Sequence, residues 1–176
     1  VAEGVHARLS ATARAYRYRL LVADVRDPFR ERFTQHVPRP LDVEAMQATC
    51  AHLRGEHDFA AFGQSPWNAP GQPKRHTVRH LYRAEVTPHG DEIWCDFAAN
   101  AFLTGMVRRL MGVLLLVGAG KLAPADVAAI LAARSPEHPG PAAPACGLCL
   151  MQVTYPAGTL SWPAETSDGV SEHDYL

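Results

Sequence analysis

One long apolar segment, NAFLTGMVRRLMGVLLLVGAG at residues 100–120, constrains the fold of this chain more than any other. Its apolar residues recur at helical spacing in a stripe made by Met106, Leu110, Val113 and Val117, which Val107 and Leu114 widen. The pattern predicts a helix, and a helix with so broad an apolar face must be buried against other elements. The chain must therefore supply a sheet or further helices to cover it.

Two arginines interrupt this apolar helix near its middle. Arg108 and Arg109 stand about 100° apart around the helix axis, so they cannot both reach solvent in the same direction. A buried arginine either extends its guanidinium to the surface or meets an acidic partner. We expect one of the pair to snorkel and the other to face a partly enclosed site.

The rest of the chain supplies both strands and helices. ATARAYRYRL predicts a strand over residues 12–22, with Tyr16 and Tyr18 on one face and Arg17 and Arg19 on the other. The other predicted elements are a helix over 43–54 capped by Asp42, a short helix in HDFAAFG capped by Asp58, a hairpin over 77–87 and 91–98, a helix opened by Pro124, and a final strand in GLCLMQVTYP.

This order of elements predicts an α+β fold, a mixed or antiparallel β-sheet with helices packed on one face. Residues 1–156 are expected to form one domain. Residues 157–176 are predicted to form a weakly ordered acidic tail. The segment 63–75, rich in Gly, Pro, Gln and Asn, is predicted to be an exposed loop.

Composition limits the functional classes. The formal net charge of −1 gives no global signal for nucleic-acid binding, so an RNA interface must rest on local basic patches. No apolar run reaches the length of a membrane span, and the start, VAEGVHARLS, lacks the apolar core of a signal peptide. Four cysteines in a chain of 176 residues favour a reducing, cytoplasmic setting over a disulfide scaffold.

Three short patterns suggest chemistry that their context does not support. Cys146 and Cys149 form a C-x-x-C at the start of a strand, where residues three apart point to opposite faces, so a structural role is favoured over a metal or redox site. GAGK at 118–121 lacks the earlier glycine and the Ser or Thr of a phosphate-binding loop. The nine histidines show no ligand spacing, so no metal site is predicted.

Basic residues cluster near the hairpin. Lys74, Arg75, Arg79 and Arg83 run from the Gly/Pro-rich loop into the first hairpin strand, with Arg79 and Arg83 at the same parity. With the arginines of the first strand they could form a basic sheet face with tyrosine beside it, which suits RNA backbone contacts and base stacking. A simple solvated strand face is the equally weighted alternative.

Five segments together resemble the tRNA pseudouridine synthase A (TruA) family. They are HARLSATARAYRYRL, GEHDFAAF, TVRHLYRAEV, ANAFLTGMVRRLMGVLLLVG and GLCLMQVTYP, and the resemblance covers about residues 5–156. It implies isomerisation of uridine to pseudouridine at positions 38 to 40 of the tRNA anticodon stem-loop, with no cofactor or metal. It also implies a cytoplasmic homodimer that binds tRNA.

The resemblance also implies roles for individual residues. Tyr16 resembles the family's active-site tyrosine, Arg108 the arginine that pairs with the catalytic aspartate, and Leu148 the leucine that packs on the base. Arg109 would then be the outward or RNA-facing arginine. The expected RNA-binding residues are Arg14, Arg17, Arg75, Arg79 and Arg109.

The family's catalytic aspartate lies in a GRTDxGVHA motif, upstream of all these segments. EGVHA at residues 3–7 imitates only the end of that motif, with Ala2 at the aspartate position. We expect this chain to be a C-terminal portion that lacks the aspartate and is inactive alone. The other aspartates considered, Asp24, Asp27, Asp58 and Asp96, are not obvious substitutes. The alternatives are a non-catalytic RNA-binding module, or an α+β domain that binds protein partners.

Overall fold

The computed structural model describes residues 4–63, 76–135, 137 and 140–159. In chain order, the elements are β1 Ala13–Val22, β2 Gln35–Val37, α1 Val43–Leu53, β3 Gly55–Asp58, a 3-10 turn Ala60–Phe62, β4 Val78–His89, β5 Glu92–Ala99, α2 Met106–Gly118, α3 Pro124–Ala133 and β6 Leu148–Thr154. In the part of the chain so described, no helix has the length and apolar character to cross a membrane.

Strand β1 organises a six-stranded mixed sheet of order β2-β1-β5-β4-β3, in which β6 also pairs with β1. Along one edge of β1 runs the antiparallel strand β5. The other edge is shared between β6, antiparallel over Ala13–Tyr18, and β2, parallel over Leu20–Val22. The sheet and its helices confirm the predicted α+β fold.

The hydrophobic core lies between one face of this sheet and the helices. Tyr18 and Leu20 of β1 point to that face and are opposed by Cys95 and Ile93 of β5. The predicted stripe of α2 is buried throughout, with its members Met106, Leu110, Val113 and Val117 at most 2% exposed. The core confirms that helices cover one face of the sheet.

Helix α1 begins and ends as its sequence predicts. Asp42 accepts a hydrogen bond from the Ala45 backbone N–H at 2.8 Å, which satisfies one of the free donors of the first turn. Gly55 follows the helix with φ of +102°, a conformation that glycine adopts without the usual steric cost. The helix therefore ends at Leu53.

The long apolar helix starts six residues later than the sequence segment that suggested it. Residues 100–105 form a loop because the Asn100 side chain accepts hydrogen bonds from the backbone N–H groups of His80 and Ala101, at 3.0 and 2.8 Å. Gly105 then turns the chain into α2 with φ of +74°. The loop puts Phe102 and Leu103 beside the end of β1 rather than on the helix.

Two other local predictions were wrong in detail. The loop after β1 contains the short strand β2, which pairs with the last residues of β1. HDFAAFG forms the end of β3 and a 3-10 turn rather than one capped helix. Asp58 still acts as a local cap, because its carboxylate accepts a hydrogen bond from the Ala60 N–H at 3.0 Å and another from the Thr77 hydroxyl.

A close backbone contact joins the centre of α2 to the loop before β6. A Cβ built on Gly112 would lie 2.0 Å from the Pro141 carbonyl oxygen, so only glycine allows this approach. The contact brings Ala143 within reach of Arg108, whose carbonyl accepts a hydrogen bond from the Ala143 N–H at 2.8 Å.

Gly112→Ala is expected to lower the free energy of unfolding by about 1–3 kcal/mol, because the loop at Pro141 must move despite the better helix propensity of alanine. Urea unfolding of the chain measures it. The control is Gly120→Ala, where nothing lies within 4 Å and only the cost of a positive φ applies. Equal stability of Gly112→Ala and the parent chain would contradict this packing.

Candidate active site and nucleic-acid interface

Three residues predicted to act together line one small cavity. Tyr16 reaches it from β1, Arg108 from α2 and Leu148 from the start of β6. The cavity has a volume of about 200 Å³, and Phe102 and Val107 are among its other walls. The fold therefore gathers side chains that are up to 132 positions apart in sequence (148 − 16).

The two tyrosines of β1 point to the same side of the sheet but have different surroundings. Tyr18 is fully buried and its hydroxyl donates a hydrogen bond to the Pro144 carbonyl at 2.7 Å, and burial raises its pKa. Tyr16 is only partly buried, and its ring packs against that of Phe102 in an edge-to-face contact with centroids 5.2 Å apart. Only Tyr16 faces the cavity; Tyr18 holds the loop that leads to Leu148.

Arg108 is half-buried and its guanidinium is held in place by backbone. Its Nε donates a hydrogen bond to the Ala143 carbonyl at 2.7 Å, and the Ala143 N–H bonds back to the Arg108 carbonyl. Arg108 is therefore the arginine of the pair that lines the smaller, partly enclosed cavity. Arg109 is also half-buried, and its Nε lies beside Gly105 at the start of α2.

A second, larger cavity of about 700 Å³ adjoins the first. The two share Tyr16, Phe102, Leu103 and Gly105 as lining residues. The larger one adds three arginines, Arg8, Arg14 and Arg79, and no Asp or Glu occurs among its described lining residues. None of these three arginines forms an ion pair with a carboxylate within the described ranges.

The charge of the larger cavity is therefore positive and uncompensated. Burial lowers the pKa of Arg79, whose Nε is enclosed without a hydrogen-bond partner among the described residues. Arg14 is bonded to carbonyls rather than to acids, at 2.9 Å to Ala11 and 2.8 Å to Asn100. Such a cavity suits an anionic ligand.

The predicted pairing of Arg79 with Arg83 on one face was wrong. The register of β4 against β5 shifts between Leu81 and Arg83, which is a β-bulge. Because one extra residue reverses side-chain direction, Arg79 turns to the helix side with Leu81, and Arg83 turns to the opposite face. Arg79 thereby joins Tyr16 at the cavity.

The face of the sheet away from the helices carries an ion-pair network. Arg17 makes a two-pronged pair with Asp96, at 2.8 and 3.0 Å, and its guanidinium lies 4.0 Å from the Trp94 ring centroid. Hydrogen bonding to Asp96 is the main cause that raises the pKa of Arg17. Arg83 bonds Glu85 at 2.8 Å and approaches Asp96 at 3.5 Å.

A second group extends the network to the loop before β2. Arg19 donates two hydrogen bonds of 2.8 Å to Glu92, and the Trp94 ring N–H donates a third at 2.8 Å. Arg30 pairs with Asp27 at 2.7 Å and with Asp91 at 2.7 Å. The single basic sheet face predicted from Arg17, Arg19, Arg79 and Arg83 is therefore not formed, because the arginines on this face are paired with acids.

Cys146 and Cys149 are free and exposed, with Cys146 in the turn before β6 and Cys149 within that strand. Within the ranges the structure covers, no group of three His, Cys, Asp or Glu could hold a metal ion. The glycines of GAGK end α2, where Gly120 has φ of +67°. Arg75 lies outside the described residues.

No carboxylate is present at the smaller cavity, as far as its described lining shows. The aspartates considered from the sequence are occupied elsewhere: Asp27 with Arg30, Asp58 with Thr77, and Asp96 with Arg17. Asp24 is exposed. Asp96 does point outward as expected, but the arginines above it leave it only 8% exposed.

Sequence reasoning missed the turn at residues 6–11 and the loop at residues 100–105. Arg8, Leu9 and Phe102 line the cavities although no role was predicted for them. Phe102 was counted within the long helix because most residues of its segment are apolar. The glycine at 105 was the available signal for a break before the helix.

Comparison with known proteins identifies the family. A family model described as tRNA pseudouridine synthase matches residues 49–156. A tRNA pseudouridine synthase A of Moorella thermoacetica is 44% identical over 155 residues, 88% of this chain and 61% of that protein. Its counterpart from Paraburkholderia xenovorans is 45% identical over 151 residues, 86% of this chain and 54% of that protein.

The chain therefore belongs to the tRNA pseudouridine synthase family. The relatives that it matches within that family are A-type enzymes by name, including one from Burkholderia mallei at 42% identity. The chain spans 54–61% of the length of these curated relatives. The resemblance stated from its motifs is confirmed at the level of the family.

Glu92 provides a pH test of the ion-pair network. Hydrogen bonding to Arg19 lowers its pKa in the folded chain below the ordinary value of 4.5. Below that value the unfolded chain binds more protons, so stability is present above it and is lost as pH falls through the folded pKa. Acid should therefore destabilise the chain partly through this residue.

Glu92→Gln is expected to lower the free energy of unfolding by about 2 kcal/mol at neutral pH and to reduce its loss on acidification, because the charged partner of Arg19 is removed. Urea unfolding at a series of pH values from about 7 to about 3 measures both effects. Glu31→Gln, at an exposed position, is the control. An unchanged pH dependence in Glu92→Gln would contradict the assignment.

Proposed function

We propose that this chain forms the RNA-binding and pocket-wall part of a tRNA pseudouridine synthase that acts on uridines 38 to 40 of the anticodon stem-loop. One observation carries the proposal: a small cavity lined by Tyr16, Arg108 and Leu148 opens beside a larger cavity with three arginines and no described acid. The first suits an uncharged base, and the second suits the phosphates on either side of it.

In this proposal the target uracil leaves its stack and enters the smaller cavity. Leu148 and Phe102 supply apolar walls for the base, and Tyr16 lies at the boundary with the larger cavity. A base that must be detached and rotated needs a pocket that holds it after its bond to the sugar is broken. Apolar contact serves this purpose because it does not fix the orientation of the ring.

The reaction is an isomerisation, so no group is gained or lost overall. The N1–C1′ bond breaks, the uracil turns, C5 bonds to C1′, and the proton on C5 moves to N1 through the site. An aspartate outside this chain acts on the sugar, either by attack at C1′ or by helping to form a glycal. Arg108, oriented by its bond to Ala143, pairs with that aspartate and keeps it ionised at neutral pH.

Tyr16 is proposed to accept the C5 proton. A tyrosine with its ordinary pKa near 10 is a weak base, so the intermediate must acidify this proton for the transfer to occur. We further propose, from the family resemblance, that the whole enzyme is a cytoplasmic homodimer without a cofactor. Arg14, Arg75, Arg79 and Arg109 are proposed to serve RNA binding, whereas Arg17 is left out because its charge is paired with Asp96 on the other face of the sheet.

The proposal predicts that the chain alone makes no pseudouridine but becomes active when the missing aspartate is supplied. A chimera would join the N-terminal part of the Moorella thermoacetica relative to this chain. Release of tritium from tRNA labelled at C5 of uridine measures the reaction. Turnover by the chain alone would contradict the inactivity. An inactive but folded chimera that still binds tRNA would favour the alternative, a non-catalytic RNA-binding module.

Two substitutions in the active chimera test the residue roles. Arg108→Ala is expected to lower turnover by about 100-fold or more with tRNA binding largely retained, because the aspartate loses its charged partner. Tyr16→Phe should lower turnover by about 100-fold without loss of stability, since it removes only the proton acceptor. Tritium release and filter binding provide the two measurements.

Tyr18→Phe is the matched control, because it removes a hydroxyl from the same strand. The fully buried Tyr18 donates its hydroxyl to the Pro144 carbonyl, so loss of this bond should lower the free energy of unfolding by about 1–3 kcal/mol. Near-normal turnover in Arg108→Ala would reject the ion pair. Full activity in Tyr16→Phe would reject proton transfer to its hydroxyl.

A further inference from the structure

The turn at residues 6–11 is a rigid part of the larger cavity wall, and the residue roles proposed above leave it unassigned. The His6 ring Nδ1 accepts hydrogen bonds from the backbone N–H groups of Arg8 and Leu9, at 3.2 and 3.3 Å. The His6 N–H donates to the Ser10 hydroxyl at 3.0 Å, and the Ser10 N–H donates to the His6 carbonyl at 2.9 Å. The turn is therefore closed on itself.

Bonds from two other parts of the chain, Arg14 and Tyr155, attach this turn to the sheet. Arg14 donates to the carbonyls of Arg8 and Ala11, the latter at 2.9 Å. The same Arg14 nitrogen that bonds Ala11 also donates to the Asn100 carbonyl at 2.8 Å. The Tyr155 hydroxyl donates to the Ala7 carbonyl at 2.7 Å. These bonds fix the position of the turn before any ligand is present.

The turn presents one cation and one apolar side chain at the cavity. Arg8 is exposed and Leu9 is 70% exposed, and both line the cavity that also contains Arg14 and Arg79. A single exposed leucine is ordinary on a protein surface. Here it lies on a preorganised turn beside uncompensated arginines, and this pairing of apolar surface with positive charge matches the base and phosphate of one nucleotide.

We propose that the 6–11 turn binds the nucleotide next to the target uridine: Arg8 contacts its phosphate and Leu9 packs against its base. This inference rests on the proposed function, which places the target uracil in the adjoining smaller cavity. Because the two cavities share Tyr16 and Phe102, a nucleotide in one is a direct neighbour of a base in the other. His6 acts as a positioning residue through the bonds that close the turn.

The test measures binding of the chain to a fluorescent anticodon stem-loop over a series of salt concentrations. Arg8→Ala should weaken binding about 3- to 10-fold and reduce the slope of log affinity against log salt by about 0.7–0.9, because one phosphate contact is lost. Leu9→Ala should weaken binding by a similar factor with the slope unchanged. Arg32→Ala and Val25→Ala are controls at exposed positions away from the cavity.

His6 supplies an independent readout. His6→Ala should weaken binding as Arg8→Ala does, whereas His6→Asn should retain binding because the amide oxygen can replace the ring Nδ1 as acceptor. The parent chain could bind the stem-loop in a salt-dependent way while Arg8→Ala and Leu9→Ala bind as tightly as the controls. That result would overturn this inference and leave the proposed function intact. If the folded parent chain does not bind the stem-loop at all, both this inference and the RNA-binding role proposed for the chain are overturned.

Discussion

The pairing of β1 with three other strands is the constraint on which the rest of the structure depends. Because β1 is held along both edges, its side-chain alternation is fixed along its whole length. Tyr16, Tyr18 and Leu20 face the helices, while Arg17 and Arg19 face the opposite side. Tyr18 and Leu20 are fully buried in the core, whereas Tyr16 is only partly buried and lines the cavity together with Phe102 and the first turn of α2.

The same alternation separates the arginines into two electrostatic groups. Those on the helix-free face pair with carboxylates, Arg17 and Arg19 across to β5 and Arg83 within β4, so their charge is neutralised. At the cavity, Arg14 and Arg79 donate to backbone carbonyls, which orient a guanidinium without neutralising its charge. A chain of formal charge −1 can therefore still offer a positive cavity to an anionic ligand.

Much of the fold and part of the site followed from local pattern. The apolar stripe of α2, the Asp42 cap and the hairpin are short-range features, and the structure reproduces them. The family motifs named Tyr16, Arg108 and Leu148, which the fold brings to one cavity. The start of α2 was placed too early because Asn100 diverts the chain through bonds to His80, which is twenty positions earlier in the sequence.

By itself the sequence determined the class of fold and the family, and its motifs named three of the residues that line the smaller cavity. Tertiary structure alone decided which arginines keep their charge available and which tyrosine reaches the cavity. The bulge in β4 separates Arg79 from Arg83, and the packing of Gly112 against Pro141 brings Ala143 to Arg108. Both depend on contacts between distant segments, so no local periodicity could specify them.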